Sequence, residues 1–362
     1  MRIRVASTAG VFRSDNPYLR LLYGVSPEGK ALSGFQSDVL LDVVESPGVS
    51  ISWIWSHRHD LDVLHLHWPS FLYAHPQLAA RWLRFLRMTV GLLLTRLVGI
   101  KIVWTAHNVM PHKSSGWFID WLGRRVVMAV SDLVIVHQKW CMTELKKRFG
   151  GRCRQTVIPH MTYEGVYPDP IPQSEARSRL RVEPDALVVV HFGLIRRNKH
   201  VPLILQEFSL ANAAKQRMLI AGSCMDDDVA AEISDYCRAD SRILASLDRV
   251  QPEDVALWLS AADVAVIGGN ITTSGSLFLY LTYGLPVILP KTLSREFSKN
   301  TDWLITCNMS ARGELANLLN QLSREELATT SQSADTERLS RTPVRIHQML
   351  CSELATIVGD NR

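Results

Sequence analysis

The sequence predicts two α/β domains, each built on a parallel sheet. Three observations carry that prediction. Short apolar, β-branched runs alternate with longer helix-patterned runs through both halves, as in strands joined by crossover helices. At 362 residues the chain is too long for one ordinary core and fits two domains of roughly 150–200 residues. The segment YPDPIPQSEA (167–176) holds three prolines and interrupts the alternation, which marks a linker. The expected division is 1–166, 176–342 and a terminal helix within 343–362.

The opening run, MRIRVASTAGVF, reads as a first strand over 2–6 and lacks the apolar h-region of a secretory signal. Further strands are expected at 51–54, 62–67, 101–106 and 132–137, then at 187–192, 217–221, 263–267 and 286–290. Residues 323–342 are polar and charged and lead into a last helix near 343–358. Hydrophobic content of 47% with 21% charged residues is that of a globular protein. The six cysteines show neither C-x-x-C spacing nor zinc-like histidine intervals, so reduced thiols in a cytosolic protein are expected.

Charge is uneven. Residues 1–170 carry 20 Lys and Arg against 12 Asp and Glu, and the remainder 20 against 23. A basic front half suits nucleic acid or an anionic membrane. No helix-turn-helix, zinc-finger or RNP pattern accompanies it, which favours the membrane. Residues 77–100, QLAARWLRFLRMTVGLLLTRLVGI, supply a means. Their apolar run is too short to span a bilayer, but Arg81, Arg84 and Arg87 recur beside Trp82 and Phe85. Such a helix can lie in a headgroup layer; a domain helix with one face in the core gives the same pattern.

Two segments point to an anion site. TTSGSLFLYLTYGLPVILP (272–290) is a small polar turn, a helix, a Gly-Leu-Pro turn and a strand. Ser274, Gly275 and Ser276 can bring backbone N–H groups and a helix N-terminus close to a phosphate, or simply cap the helix. LVVVHFGLIRRNKHVPLILQEF (187–208) is a strand, a turn at Gly193, then Arg196, Arg197 and Lys199 on the loop. Cations on a strand-to-helix loop suit a diphosphate. CMDDDV (224–229) could be mistaken for a metal-binding Asp-x-Asp, but it opens a helix, where acids favour the dipole. With cations available for the diphosphate, no metal is required. Asp248 and Arg249 are weaker candidates for a nucleobase.

In DVLHLHWP (62–69), His65 and His67 share one strand face. His67 and Trp68 stand at the carboxyl end, where ligands bind on open α/β sheets. KIVWTAHNVMPH repeats the arrangement with His107 and Asn108, and His112 follows in the loop. His65 reads as a hydrogen-bonded core residue. Asp15, next to Asn16 and before the first helix, is either that helix's N-cap or a reactive carboxylate.

Gly-x5-Lys after a strand, followed by a helix ending in Gly-x-Pro-Val-Ile, resembles the donor domain of GT-B glycosyltransferases. NPYLRLLYG (16–24), DVLHLHWP, HNVMPH with Gly116 and Trp117, HFGLIRRNK (191–199) and SGSLFLYL (274–281) together resemble the xanthan-type β-1,4-mannosyltransferases. The blocks run in the same order from about residue 16 to 290. The resemblance implies two Rossmann-like doubly wound domains facing a central cleft. It also implies transfer of mannose from GDP-mannose to a polyprenyl-diphosphate-linked oligosaccharide, at the cytoplasmic face of the cell membrane, in exopolysaccharide assembly. Retaining GT-B enzymes usually carry two Glu at positions that correspond to Ile271 and Leu279 here. Their absence implies an inverting enzyme.

Inversion needs a base opposite the departing diphosphate. His107 stands first for that role and Asp15 is its main competitor, with Asn16, His67, Trp68 and His112 lining an acceptor pocket. The diphosphate would rest on Gly193, Arg196, Lys199, Ser274, Gly275 and Ser276. A UDP-sugar donor, a sugar-nucleotide 2-epimerase and a non-catalytic sugar-nucleotide-binding subunit are the rival readings.

Overall fold

A computed structural model describes residues 1–12, 17–111, 116–212, 214–269, 275–297 and 301–359. The chain forms two compact units, Met1–Met161 with Pro343–Arg362, and Thr162–Thr342.

The first unit carries six strands: β1 (Arg2–Ser7), β2 (Leu40–Glu45), β3 (Val63–His67), β4 (Lys101–Ala106), β5 (Leu133–Val136) and β6 (Arg154–Val157). They are parallel, in the order β2-β1-β3-β4-β5-β6. The inner strands β3, β4 and β5 are buried almost throughout, which explains their near-continuous apolar runs. Chain direction across the sheet reverses between β1 and β3. In open α/β sheets the crevice at such a reversal, beyond the carboxyl ends of the strands, is where ligands bind.

Residues 51–54 form no strand. ISWI reads as β by its branched and aromatic residues, yet it lies in the helix Ile51–Ser56, of which only Ile54 is buried. This short helix packs against the long helix Leu78–Leu97, and one buried residue over two turns suits a helix rather than an alternating strand. The terminal helix Pro343–Gly359 packs on helix Pro17–Tyr23. There His347 Nδ1 donates to the Leu22 carbonyl at 3.0 Å, and Glu353 pairs with Arg154 at 2.7 Å.

The second unit repeats the architecture with β7 (Leu187–Phe192), β8 (Gln216–Ala221), β9 (Ile243–Ser246), β10 (Val264–Val266), β11 (Val287–Pro290) and β12 (Leu304–Cys307). The order is β12-β11-β10-β7-β8-β9, again parallel, so direction reverses between β7 and β10. Residues 167–176 lie within this unit: Ile171 N donates to Ser260 Oγ at 3.1 Å, and Gln173 starts the helix Gln173–Leu180. A buried ion pair, Arg177 to Asp263 at 2.7 Å, ties that helix to the sheet, and Asp263 also accepts from Val188 N. The polar stretch after 322 forms the helix Arg324–Ser340, started by a capping box between Ser323 and Glu326.

Candidate active site

In the first unit, four successive strands each deliver a histidine at or just beyond their carboxyl ends: His67, His107, His137 and His160. They cluster with His65, Tyr18 and Tyr23, all buried. One continuous hydrogen-bonded chain runs through most of them. Thr105 Oγ1 lies 2.8 Å from His65 Nε2, and His65 Nδ1 lies 2.8 Å from Tyr23 OH. Tyr23 OH is 2.9 Å from His67 Nε2, and His67 Nδ1 is 3.1 Å from His107 Nε2. His107 Nδ1 reaches His137 Nε2 at 3.3 Å, and His137 Nδ1 meets the Ile158 carbonyl at 2.9 Å. Tyr18 sits edge-on to His107 and His137, its hydroxyl 3.4 Å from His137 Nε2.

Burial favours the neutral form of His65, His67 and His107. His65 is pushed down to about 3 by desolvation. His67 and His107 lie well below the ordinary histidine value, from desolvation first and neighbouring imidazoles second. In His107 both Nε2 and Nδ1 are engaged, and burial opposes its cation. His67 is likewise enclosed, only 2% exposed. Trp68 does have open surface. It is half-buried, takes a left-handed backbone with φ 45°, and stacks on His107 at 4.3 Å with 14° between the rings. Asp15, Asn16 and His112 lie outside the described residues.

Sequence reading missed Tyr18, Tyr23, His137 and His160. The recurring signal was present: LVIVH at 133–137 and VIPH at 157–160 repeat the strand-then-histidine pattern of HLH and WTAH.

In the second unit the Gly193 loop meets the start of helix Gly275–Thr282 at the β7/β10 reversal. Gly193 has φ 115°, and a Cβ there would meet Ser276 Oγ at 2.6 Å, so the loop and the start of helix Gly275–Thr282 are in contact. A Cβ on Gly222 would overlap the Gly193 carbonyl, and one on Gly268 would meet the Lys199 carbonyl at 2.8 Å. Three backbone segments thus close up only because these positions lack side chains. The Tyr280 hydroxyl fixes the helix to the strand end, accepting from Phe192 N at 2.7 Å and donating to Phe192 O at 2.9 Å.

Lys199 stands on this loop with its pKa pushed down to about 8, by burial first and the nearby Arg196 cation second. Arg196 is exposed. Arg197 is turned elsewhere, paired with Asp228, while its backbone N–H donates to Asp226 at 2.8 Å. The acids of CMDDDV thus open helix Asp227–Ala239 and brace the basic loop. Asp248 and Arg249 are exposed beyond the end of edge strand β9, with β8 between them and β7. Ser274 lies outside the described residues.

The helix Leu78–Leu97 divides its faces differently from the sequence expectation. Phe85 is buried against Tyr73, so it belongs to the core. Leu83, Leu86, Val90, Leu93 and Leu97 are exposed instead, along one stripe. Arg81 and Arg84 bond the carbonyls of His75 and Ala74. Arg84 and Arg87 also line a groove of about 840 Å³ with Ile51, Trp55 and Phe71. No described helix is long and apolar enough to cross a membrane.

No family model matches the chain. Two proteins of Xanthomonas campestris pv. campestris, each named GDP-mannose:glycolipid 4-beta-D-mannosyltransferase, are 27% identical over 278 residues, covering 76% of this chain and 70% of theirs. Among solved structures, Anabaena Alr3699/HepE in complex with UDP and glucose matches 98% of this chain and 100% of its own, with TM-score 0.68 and 15% identity. Sucrose-phosphate synthase from Thermosynechococcus elongatus matches 100% of both chains, with TM-score 0.72 and 14% identity. The chain is a glycosyltransferase of the GT-B fold. In this glycosyltransferase the glycine-closed loop lies in the second unit and the histidine chain in the first, each at a sheet reversal.

Proposed function

We propose that this glycosyltransferase moves mannose from GDP-mannose to a polyprenyl-diphosphate-linked oligosaccharide, with inversion, in exopolysaccharide assembly. The observation that carries donor and acceptor class is the 278-residue match to relatives named for GDP-mannose and glycolipid. The diphosphate would lie over Gly193, Gly275 and Ser276, with Ser274 beside them. There the helix N-terminus, Lys199 and Arg196 neutralise the leaving group without a metal. Asp248 and Arg249 would face the nucleobase from the β9 loop.

The proton of the attacking hydroxyl then needs a base from the first unit. We assign it to Asp15, because both nitrogens of His107 are engaged. Asp15 precedes by three positions Tyr18, which packs on His107. Asn16, Trp68 and His112 remain acceptor-side candidates. The test is a donor screen, GDP-mannose against UDP-sugars, using a short-chain polyprenyl-diphosphate oligosaccharide with EDTA present. Mannosyl transfer from GDP-mannose alone is expected, undiminished by EDTA; transfer from a UDP-sugar alone would overturn the donor assignment.

The acceptor's lipid requires a membrane surface, and the exposed stripe of Leu83, Leu86, Val90, Leu93 and Leu97 suits the boundary of one. Helix Leu78–Leu97 carries arginines and no acid, which matches an anionic leaflet and opposes pairing with a second copy. Peripheral binding at the inner membrane face follows. Arg84→Gln with Arg87→Gln should release protein from anionic liposomes, since each cation near the surface is worth about 1 kcal/mol. Leu86→Ser with Leu93→Ser should release it from neutral ones as well. Unchanged sedimentation of both variants would dismiss this face.

A further inference from the structure

With one proton on each imidazole, the hydrogen-bonded chain in the first unit runs in a single direction. The Ile158 carbonyl cannot donate, so His137 must donate from Nδ1. With its single proton on Nδ1, His137 accepts at Nε2, which makes His107 Nδ1 the donor. The same step repeats inward: His67 Nδ1 donates to His107 Nε2, and Tyr23 OH donates to His67 Nε2. His65 Nδ1 donates to Tyr23 oxygen, and Thr105 Oγ1 donates to His65 Nε2. All four imidazoles are thereby held in the Nδ1–H form, every ring nitrogen is used, and each ring plane is fixed by bonds at both edges.

Enclosed on both edges, His107 offers its environment a face, and Trp68 occupies that face. The indole stacks nearly parallel on the imidazole. It does so from a left-handed backbone that aromatic residues rarely adopt. It stands immediately after β3, with Pro69 next and the short helix Ser70–Tyr73 following. One indole face is thus taken by His107, and the residue keeps open surface at the ligand-binding end of the sheet.

We propose that Thr105, His65, Tyr23 and His67 form a positioning chain for His107, whose ring holds Trp68 as a stacking platform for the C–H face of a pyranose in the acceptor. This rests on the glycosyltransferase reading and adds to it the acceptor-side contact and the residues that set it. The apolar face of a sugar ring and an indole attract through buried area and through C–H groups directed at the π-cloud. The chain supplies rigidity: a rotated His107 would leave Trp68 without its backing. Tyr23 is the sensitive link, because its hydroxyl bonds both His65 and His67.

The test uses two variants and two probes. Saturation-transfer NMR of the whole protein is recorded with methyl β-D-glucopyranoside, whose ring substituents are all equatorial, and with GDP. In the wild type the axial C–H protons of the glycoside should saturate. Trp68→Leu should abolish that transfer, and Tyr23→Phe should weaken glycoside binding roughly 2- to 10-fold. GDP binding should be unchanged in both variants.

A second readout separates positioning from simple packing. Nitrogen-15 spectra of histidine-labelled wild type should show the Nδ1–H form at His67 and His107. In Tyr23→Phe the freed His67 Nε2 no longer receives a proton donor, and the form at His107, one residue further along, should change with it. Full glycoside binding by Trp68→Leu would overturn the platform, as would no glycoside binding by a wild type that binds GDP. An Nε2–H form at wild-type His107, or an unaltered one in Tyr23→Phe, would overturn the chain. A wild type that fails to bind GDP would instead count against the donor reading.

Discussion

Replacing Lys199 with Ala is expected to lower turnover roughly 100- to 1,000-fold while the fold stays intact, a loss of about 3–4 kcal/mol of transition-state stabilisation. The ammonium would meet negative charge that grows on the departing diphosphate, inside a loop that is partly closed to water. The loop itself should survive, because its shape comes from backbone: Lys199 N donates to Arg196 O at 2.8 Å, and Gly193, Gly222 and Gly268 permit the close approach. Arg196→Ala should cost less, since its side chain is exposed and water screens it.

A pH dependence follows with a definite sign. Burial and the Arg196 cation bring Lys199 down to about 8 in the free protein. A bound diphosphate favours the charged form, so binding must add a proton to whatever fraction is neutral. GDP affinity should therefore be flat below about pH 8 and fall as pH rises through it. Lys199→Arg keeps its charge throughout and should remove that fall. Calorimetry across pH 7–9.5 reads both; a wild-type profile as flat as that of Lys199→Arg would show that Lys199 does not touch the phosphates.

How far the sequence could be read depended on burial. Strands β1, β3, β4, β5, β7, β8, β10 and β11 announced themselves as apolar runs. The four that escaped, Leu40–Glu45, Arg154–Val157, Ile243–Ser246 and Leu304–Cys307, are the edges of the two sheets. An edge strand is covered on fewer sides, so LLDVVE and RQTV carry charge and polarity that a central strand excludes. The contact between Gly193 and Ser276 was legible because each stands beside a strand end or helix start recognisable in sequence. The histidine chain was legible only in part. His65, His67 and His107 stood out by spacing, but their binding to one another through Tyr23 depends on a helix crossing the strand ends, which no local pattern encodes. For the same reason Phe85 was misassigned: helical spacing reveals that a helix has two faces, not which one the protein covers.

The remaining prediction concerns the base and the stereochemistry of the product. Leu279, one of the two positions where a retaining GT-B enzyme would carry Glu, is buried in helix Gly275–Thr282; the other, Ile271, lies outside the described residues. Neither offers a carboxylate, which leaves direct displacement with a base on the opposite side of the sugar as the favoured course. His107 is a poor candidate because it would have to break its bond with His67 or His137 and carry a buried positive charge. A carboxylate that takes the proton becomes neutral and carries no positive charge. Asp15→Asn, which keeps size and removes basicity, should lose roughly 100- to 10,000-fold in turnover while GDP binding is retained. His107→Gln should weaken use of the acceptor more than the maximal rate, since its proposed role is to hold Trp68. NMR of the wild-type product from an α-linked donor should show a β-linkage. An α-linked product would sink direct displacement, and an Asp15→Asn enzyme of normal rate would return the base to the histidine cluster.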